Sequence, residues 1–281
     1  MSLDLTAPQI LKTDAIALRI APFSRTSHVV TWLSAEFGRI TTVVKGACRP
    51  KSAFLGQYDL FYCCELLFYR HEHDGVHAIR EVTPLDTREA LRADWRRVVT
   101  ASYLADLVSR VAQPAQESGD LYELLDETLV ALCRAPPTLG TMLQFELSLL
   151  QHQGVLPGFA LCPTCHTPTA APWVRFAIGA GQVRCAHSTP STAGESVLTV
   201  HREVLLQLQR LSQETQHYTA KAGDQGCAQE PLAPHLSLGL WRFLGIFIRS
   251  HLDTPPGPRR LALELLETDP ARFGGATTGD S

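Results

Sequence analysis

One stretch of the sequence carries four residues that could bind a metal ion. Cys162 and Cys165 have the C-x-x-C spacing that directs two sulfur atoms toward one point, Cys185 follows after nineteen intervening residues, and His187 lies two residues further on. Thiolate sulfur and imidazole nitrogen are usual ligands of tetrahedral structural zinc sites. Ser188 stands where a second C-x-x-C pair would end. The pattern predicts either a structural Zn²⁺ held by Cys162, Cys165, Cys185 and His187, or a loop that keeps the finger fold without the metal.

A second group of residues could bind a polyanion. The segment from Gly38 to Tyr58 contains four basic residues and no carboxylate, and a further arginine lies in the upstream loop FSRTSH. Lysine and arginine side chains that neutralise phosphates supply most sequence-independent affinity for nucleic acid. We therefore expect a DNA-binding surface formed by Arg25, Arg39, Lys45, Arg49 and Lys51. The alternative is a basic loop that is merely solvated.

Aromatic residues near this basic run could stack on bases. Phe54, Tyr58 and Trp32 are the candidates, since base–aromatic stacking is the second component of single-strand binding. Trp32 and Tyr58 lie within or beside apolar strands, so we favour core positions for both. A second basic group, Arg88, Arg92 and Arg96, has helical spacing. It could extend the same groove, but we favour the solvent-exposed side of a buried helix.

Motifs for the common enzymatic chemistries are missing from the sequence. There is no G-x-x-x-x-G-K-[ST], no G-x-G-x-x-G after a strand, no H-E-x-x-H and no G-x-S-x-G. A carboxylate cluster for Mg²⁺ is possible at Asp120, Glu123, Asp126 and Glu127, but their helical spacing is simpler to interpret as a solvated helix face. We therefore expect a protein that is not an enzyme.

Composition limits the class of protein. The 281 residues are 45% hydrophobic and 19% charged, which predicts a globular chain of one large or two to three small domains. The net charge of -3 confines any nucleic-acid binding to a local patch. Neither a signal-peptide pattern nor an apolar run of about 18 residues is present, so we expect a cytoplasmic protein with reduced cysteines and no membrane segment.

The elements that must position these residues follow from periodicity. Five short runs rich in β-branched and aromatic residues predict a small five-stranded barrel of the OB type: 15–20, 28–33, 39–44, 60–69 and 76–82. Spacings of three and four then predict a long helix from about Thr87, followed by helices at 121–132, 139–153, 198–211 and 236–252. The predicted fold is α+β: a barrel at 1–85, a helical domain at 86–268 with a zinc-ribbon-like insertion at 158–190, and a flexible tail at 269–281.

With these elements in order, the chain resembles the bacterial RecO family of DNA repair and recombination mediators. The resemblance rests on GRITTVVKGACRPKS at 38–52, FELSLLQHQGVLPGFALCPTC at 145–165 and GAGQVRC at 179–185, and it extends over roughly residues 12–265. The order of barrel, helical bundle and inserted cysteine finger is also similar to that family.

The resemblance implies a protein that binds DNA and does not catalyse a reaction. Proteins of this family bind single- and double-stranded DNA and anneal complementary strands. In the RecFOR pathway they act with RecR to load RecA onto DNA coated by single-strand binding protein (SSB), whose C-terminal tail they also bind. The resemblance also implies that the protein is bacterial and associated with the nucleoid. It implies that the family's basic barrel loop corresponds to Lys45, Arg49 and Lys51. A protein-interaction scaffold with little direct DNA contact is the alternative.

Overall fold

In a computed structural model of the chain, the structure describes residues 9–70, 75–159, 162, 171–185, 196–218 and 234–266. Buried and exposed residues alternate along the N-terminal strands, so each strand has one face toward the interior of a barrel. The strand order is β1-β2-β3-β5-β4, with β4 pairing back onto β1 and a parallel contact between β3 and β5. The strands are β1 (Ile10–Ser24), β2 (Ser27–Ser34), β3 (Gly38–Val44), β4 (Cys63–Tyr69) and β5 (His77–Asp86). This closed five-stranded barrel confirms the predicted OB-type fold.

One long strand holds the barrel together. β1 pairs with β4 along its first half, Ile10 to Ile16, and with β2 along its second half, Ala15 to Ser24. Two register shifts interrupt the pairing with β2, and such bulges bend a strand so that it can join two neighbours of a barrel. The interior is filled by large side chains, among them Trp32, which is fully buried and donates from Nε1 to Thr42 Oγ1 at 2.9 Å. The predicted core position of Trp32 is therefore confirmed.

Within the described residues, six α-helices follow the barrel and form the second part of the molecule. A short 3₁₀ helix, Glu89–Ala93, leads into α1, which begins where the side chain of Asp94 accepts a hydrogen bond from Arg96 N at 2.9 Å. Apolar residues spaced by three and four bury one face of each helix against its neighbours. The helices are α1 (Trp95–Val111), α2 (Gly119–Arg134), α3 (Leu139–His152), α4 (Arg202–Tyr218), α5 (Pro234–Leu252) and α6 (Pro256–Leu266).

A small antiparallel sheet lies between α3 and α4. Its strands are β6 (Trp173–Ala177), β7 (Gln182–Arg184) and β8 (Val197–His201), in the order β7-β6-β8. The helix predicted for 198–211 is therefore wrong in its first turn, because 198–201 pairs with β6 as a strand. Of the predicted insertion at 158–190, residues 160–161, 163–170 and 186–190 lie outside the described residues, as does the predicted tail at 269–281.

Gly38 and Arg88 are two of the residues that fix the barrel to the helices. At the start of β3, Gly38 has φ of 62°, and a Cβ there would meet the backbone carbonyl oxygens of Gln113 and Gln116 after α1. At the end of the barrel, Arg88 is only 4% exposed, donates to Phe61 O at 2.6 Å, and forms an ion pair with Asp126 of α2.

The position of Arg88 corrects two predictions. Arg88, Arg92 and Arg96 do not share one exposed helical face, because α1 begins only at Trp95 and the guanidinium of Arg88 is buried. Asp126, predicted to be merely solvated, is the partner of that buried charge. Arg92 and Arg96 are paired as well, with Asp59 at 2.7 Å and Asp94 at 2.8 Å. This second basic group is thus committed to internal ion pairs.

A buried ion pair and its hydrogen bonds join four helices that follow the barrel. Glu146 of α3 is fully buried and accepts hydrogen bonds from Arg259 of α6, Nε at 2.7 Å and Nη2 at 2.9 Å. The hydroxyl of Tyr103 in α1 donates to the same carboxylate at 2.7 Å, and Arg259 Nη1 donates to Trp241 O of α5 at 2.9 Å. Burial and the adjacent carboxylate both raise the pKa of Tyr103, which therefore remains a hydrogen-bond donor.

No helix within the described ranges is long and apolar enough to cross a lipid bilayer.

Candidate nucleic-acid interface

The loop that follows β3 is a chain of tight turns. Backbone N–H groups donate three residues back along it, from Arg49 to Gly46 O at 3.1 Å, from Ser52 to Arg49 O at 2.9 Å and from Gln57 to Phe54 O at 3.2 Å. Gly46 has φ of 73°, a left-handed conformation that glycine adopts without cost. The side chain of Arg49 lies over Gly46, where a Cβ would come within 3.4 Å of it. The loop thus has a defined shape that holds its basic side chains outward.

Hydrogen bonds tie this loop to the β1–β2 hairpin. Cys48 N donates to Thr26 O at 3.1 Å, and Gly46 N donates to Ser27 Oγ at 3.2 Å. Because Arg25 lies at the tip of that hairpin, these contacts bring it to the same end of the barrel as the loop. We call the surface formed by Arg25, Lys45, Arg49 and Lys51 the basic end of the barrel.

All four cations of the basic end are exposed to solvent. Across the described part of the chain, none of them forms an ion pair with a carboxylate, in contrast to the paired arginines of the barrel–helix junction. Four uncompensated positive charges on one rim create a local positive potential on a protein whose net charge is -3. Such a rim can bind the phosphates of a nucleic-acid strand.

Arg39 lies elsewhere. It is the second residue of β3, whereas Lys45 follows the end of that strand, and six residues of extended chain separate them by about 20 Å. Arg39 Nη1 donates to Ser109 O at 3.2 Å, and its backbone N–H donates to Gln113 O at 3.1 Å. The structure therefore brings four of the five predicted DNA-binding residues together and places Arg39 at the junction with α1.

An exposed aromatic side chain at the basic end was missed by the sequence analysis. Phe23, two residues before Arg25, is 62% exposed. The sequence indicates this exposure only by placing Phe23 next to a polar turn, a position at which a side chain need not be buried. Of the predicted stacking candidates, Trp32 is inside the barrel, and Phe54 and Tyr58 are half-buried against the barrel core. Phe23 is therefore the aromatic ring best placed to stack on a base bound beside Arg25.

Tyr58 connects the loop of the basic end to the barrel. Its hydroxyl lies 2.7 Å from His28 Nδ1, and its ring centroid is 6.0 Å from that of Trp32. Burial, together with the nearby thiol of Cys48, raises the pKa of Tyr58 to about 12, so the phenol keeps its proton at neutral pH. The Sγ atom of Cys48 lies 3.2 Å from His28 Nε2. These contacts attach the loop to the barrel wall.

Two of the predicted zinc ligands can be located. Cys162 is fully buried, and its Sγ atom lies 3.3 Å from Sγ of Cys185 at the end of β7. Two thiolates that bind one tetrahedral Zn²⁺ at 2.3 Å lie about 3.8 Å apart, so this pair fits one ion with a small adjustment. Cys165 and His187 lie outside the described residues, within which no group of three or more metal-binding side chains occurs.

A groove of about 290 Å³ lies between α5 and α6. Trp241, Ile246 and Pro255 contribute apolar surface to it. Arginines surround that apolar floor, three of them exposed: Arg242, Arg249 and Arg260. Apolar pockets rimmed by positive charge suit ligands that combine apolar side chains with carboxylates.

Comparison with known proteins assigns the chain to a family. The family description "Recombination protein O N terminal" matches residues 9–88, and "Recombination protein O C terminal" matches residues 92–259. The chain belongs to the RecO family. The two matches together cover the barrel, the helices α1 to α5 and the small sheet, so the RecO resemblance stated from the sequence is confirmed.

Curated relatives agree with this assignment. The chain is 28% identical to a DNA repair protein RecO of Anaeromyxobacter sp. (strain K) over 255 residues, which are 91% of this chain and 96% of the relative. It is 28% identical to a DNA repair protein RecO of Alkaliphilus metalliredigens over 177 residues, which are 63% of this chain and 71% of the relative. DNA repair and recombination are therefore the field in which this RecO family protein works.

Proposed function

We propose that this RecO family protein binds single- and double-stranded DNA through the basic end of its barrel. The observation that carries the proposal is the group of four exposed cations, Arg25, Lys45, Arg49 and Lys51, with no carboxylate paired to them in the described part of the chain. The interaction is electrostatic, so it depends on charge density along the strand and little on sequence. Phe23 adds stacking for unpaired bases.

Strand annealing follows from the same charges. Two complementary strands repel each other through their phosphates, and a fixed array of cations lowers this repulsion when both strands approach one rim. Phe23 stacks weakly enough to exchange bases, because a single stack contributes only about 1–3 kcal/mol. We infer that the protein acts by binding and pairing strands, without catalysis, in the cytoplasm at the bacterial nucleoid.

The groove between α5 and α6 supports a second proposed role, the binding of protein partners. An acidic peptide with apolar side chains, such as the C-terminal tail of SSB, complements a groove that has Trp241 and Ile246 in its floor and arginines around it. With DNA on the barrel and SSB on the helices, the protein would act with RecR to help load RecA onto SSB-coated single strands. The exposed positive charges on these two surfaces favour a mediator over a scaffold without DNA contact.

A structural zinc ion is part of the proposal. Cys162 and Cys185 would supply two of its ligands, with Cys165 and His187 as the remaining ones, and the ion would brace the small sheet against α5. The ion would close the finger by joining segments that are distant in sequence. Structural zinc sites of this kind contribute directly to the free energy of folding.

A strand-annealing assay tests the proposed function. Two complementary labelled oligonucleotides should anneal faster with the wild-type protein than without it, and the Lys45→Ala, Arg49→Ala, Lys51→Ala triple variant should lose most of this acceleration. Lys12→Ala is the matched control, since Lys12 is exposed on the barrel wall but is paired with Glu65 at 2.7 Å. Equal annealing by the triple variant and the control would refute the assignment of the basic end.

A further inference from the structure

The small sheet of the helical domain presents one face to solvent. Its inner face carries apolar side chains that pack on α5, including Phe176, whose ring centroid is 4.9 Å from that of Phe243. Its outer face carries Trp173, which is 62% exposed, although tryptophan is among the residues most strongly favoured by burial. The Trp173 ring is held nearly perpendicular, at 81°, to the ring of its cross-strand neighbour His201, with centroids 5.1 Å apart. An aromatic platform is thus fixed on an open sheet.

A positive charge lies beside this platform. Arg175, two residues from Trp173 on the same face, is exposed and stands directly opposite Arg184 on β7. Arg175 Nη2 donates to Cys185 O at 3.2 Å, which fixes the guanidinium beside the platform. The outward residues of the three strands include no carboxylate within the described ranges. Glu203, in the first turn of α4, lies 3.6 Å from His201 Nδ1.

The ligand must therefore combine a flat ring with negative charge. Residues two apart on a strand lie about 7 Å apart on one face, so a base stacked on Trp173 would leave its neighbouring phosphate near Arg175. A duplex does not fit this surface, because its bases are stacked within the helix and cannot reach an aromatic ring on a sheet. An unpaired strand offers both groups in the required order.

We propose that the outer face of β6, β7 and β8 is a second, independent binding site for single-stranded nucleic acid, in which Trp173 stacks on a base and Arg175 binds a flanking phosphate. It is separate from the basic end of the barrel. A protein with two strand-binding surfaces can hold two strands, or two parts of one strand, at once.

Tryptophan fluorescence tests this site without relying on the barrel. In the Lys45→Ala, Arg49→Ala, Lys51→Ala background, oligo(dT) at low salt should quench the emission of Trp173. The quenching should disappear in Trp173→Phe and persist in Trp95→Phe, a matched control because Trp95 is also exposed, at 43%. Trp173→Ala should weaken oligo(dT) binding about fivefold or more, the loss of one stacked base.

An abasic strand separates stacking from charge. It carries the same phosphates without bases, so it should bind to the outer face more weakly than oligo(dT) and leave Trp173 emission unchanged. Equal effects of the two strands, or quenching by an acidic peptide in place of oligo(dT), would overturn the inference and point to a protein partner. Loss of barrel binding in the triple variant with no response from Trp173 would also overturn it, while leaving the proposed function intact.

Discussion

Removing one partner of the buried Glu146–Arg259 pair should destabilise the helical domain by about 3–5 kcal/mol. Glu146 is fully buried and Arg259 is 7% exposed, so neither charge can be solvated when the other is lost. Glu146→Leu would remove three hydrogen bonds and leave a guanidinium whose one remaining acceptor is Trp241 O. Arg259→Leu would leave a buried carboxylate supported by Tyr103 alone.

Urea denaturation followed by circular dichroism measures the effect. With a slope of about 3 kcal/mol per molar urea, a loss of 3–5 kcal/mol lowers the midpoint by about 1–1.7 M. The exposed pair Arg260–Glu264, at 3.4 Å on the surface of α6, is the matched control, and Glu264→Gln should change stability by less than about 0.5 kcal/mol.

The double variant Glu146→Leu, Arg259→Leu gives the decisive comparison. Because it leaves no unpaired charge, it should be more stable than either single variant, since apolar replacement of both partners of a buried pair is often neutral. If each single change costs less than about 1 kcal/mol, or if the double variant loses the sum of the two, the pair does not stabilise the domain as we describe.

Three further predictions concern the finger, the junction and a helix cap. Purified protein should contain about one zinc per chain by elemental analysis, and Cys162→Ser should lose it while Cys133→Ser keeps it; zinc-free wild type would contradict the site. Gly38→Ala should lower the melting temperature far more than Gly56→Ala, because both have positive φ but only Gly38 faces two backbone carbonyl oxygens; equal shifts would contradict this packing. Asp94→Ala should cost about 1 kcal/mol at neutral pH. The hydrogen bond from Arg96 lowers the pKa of Asp94, so this stabilisation is present above the carboxyl's unfolded pKa of about 3.9 and is lost as pH falls through the lower folded value; a cost unchanged at pH 2 would contradict it.

The barrel and most helices could be predicted because their patterns are local. Alternating and three-four spacings locate β2 to β5, α2 and α3 to within a few residues, whereas β1 begins five residues before its predicted start and α1 begins at Trp95 instead of near Thr87. The short sheet was missed because strands of three to five residues carry little periodicity, and β8 runs directly into α4 at Arg202. The helix α6 was not predicted, because it begins with the residues Pro-Gly-Pro, which usually mark the end of a helix. Proline is nevertheless tolerated in the first turn of a helix.

The candidate site could be predicted only in part, because exposure and pairing depend on contacts distant in sequence. Arg49 and Arg88 look alike in the sequence, yet one is exposed and the other is buried against Asp126 of α2. Arg39 belongs to the same basic run as Lys45 but lies at the opposite end of β3. Periodicity predicts which strand a residue belongs to, but it does not predict at which end of the barrel the residue lies.

The salt dependence of single-stranded DNA affinity tests the central claim most directly. Each phosphate contact contributes about 0.7 to the slope of log affinity against log salt for a single strand. The Lys45→Ala, Arg49→Ala, Lys51→Ala variant should therefore have a slope about 2 units shallower than that of the wild type, while Lys12→Ala should leave the slope unchanged. An identical slope for the triple variant and the wild type would contradict DNA binding at the basic end of the barrel.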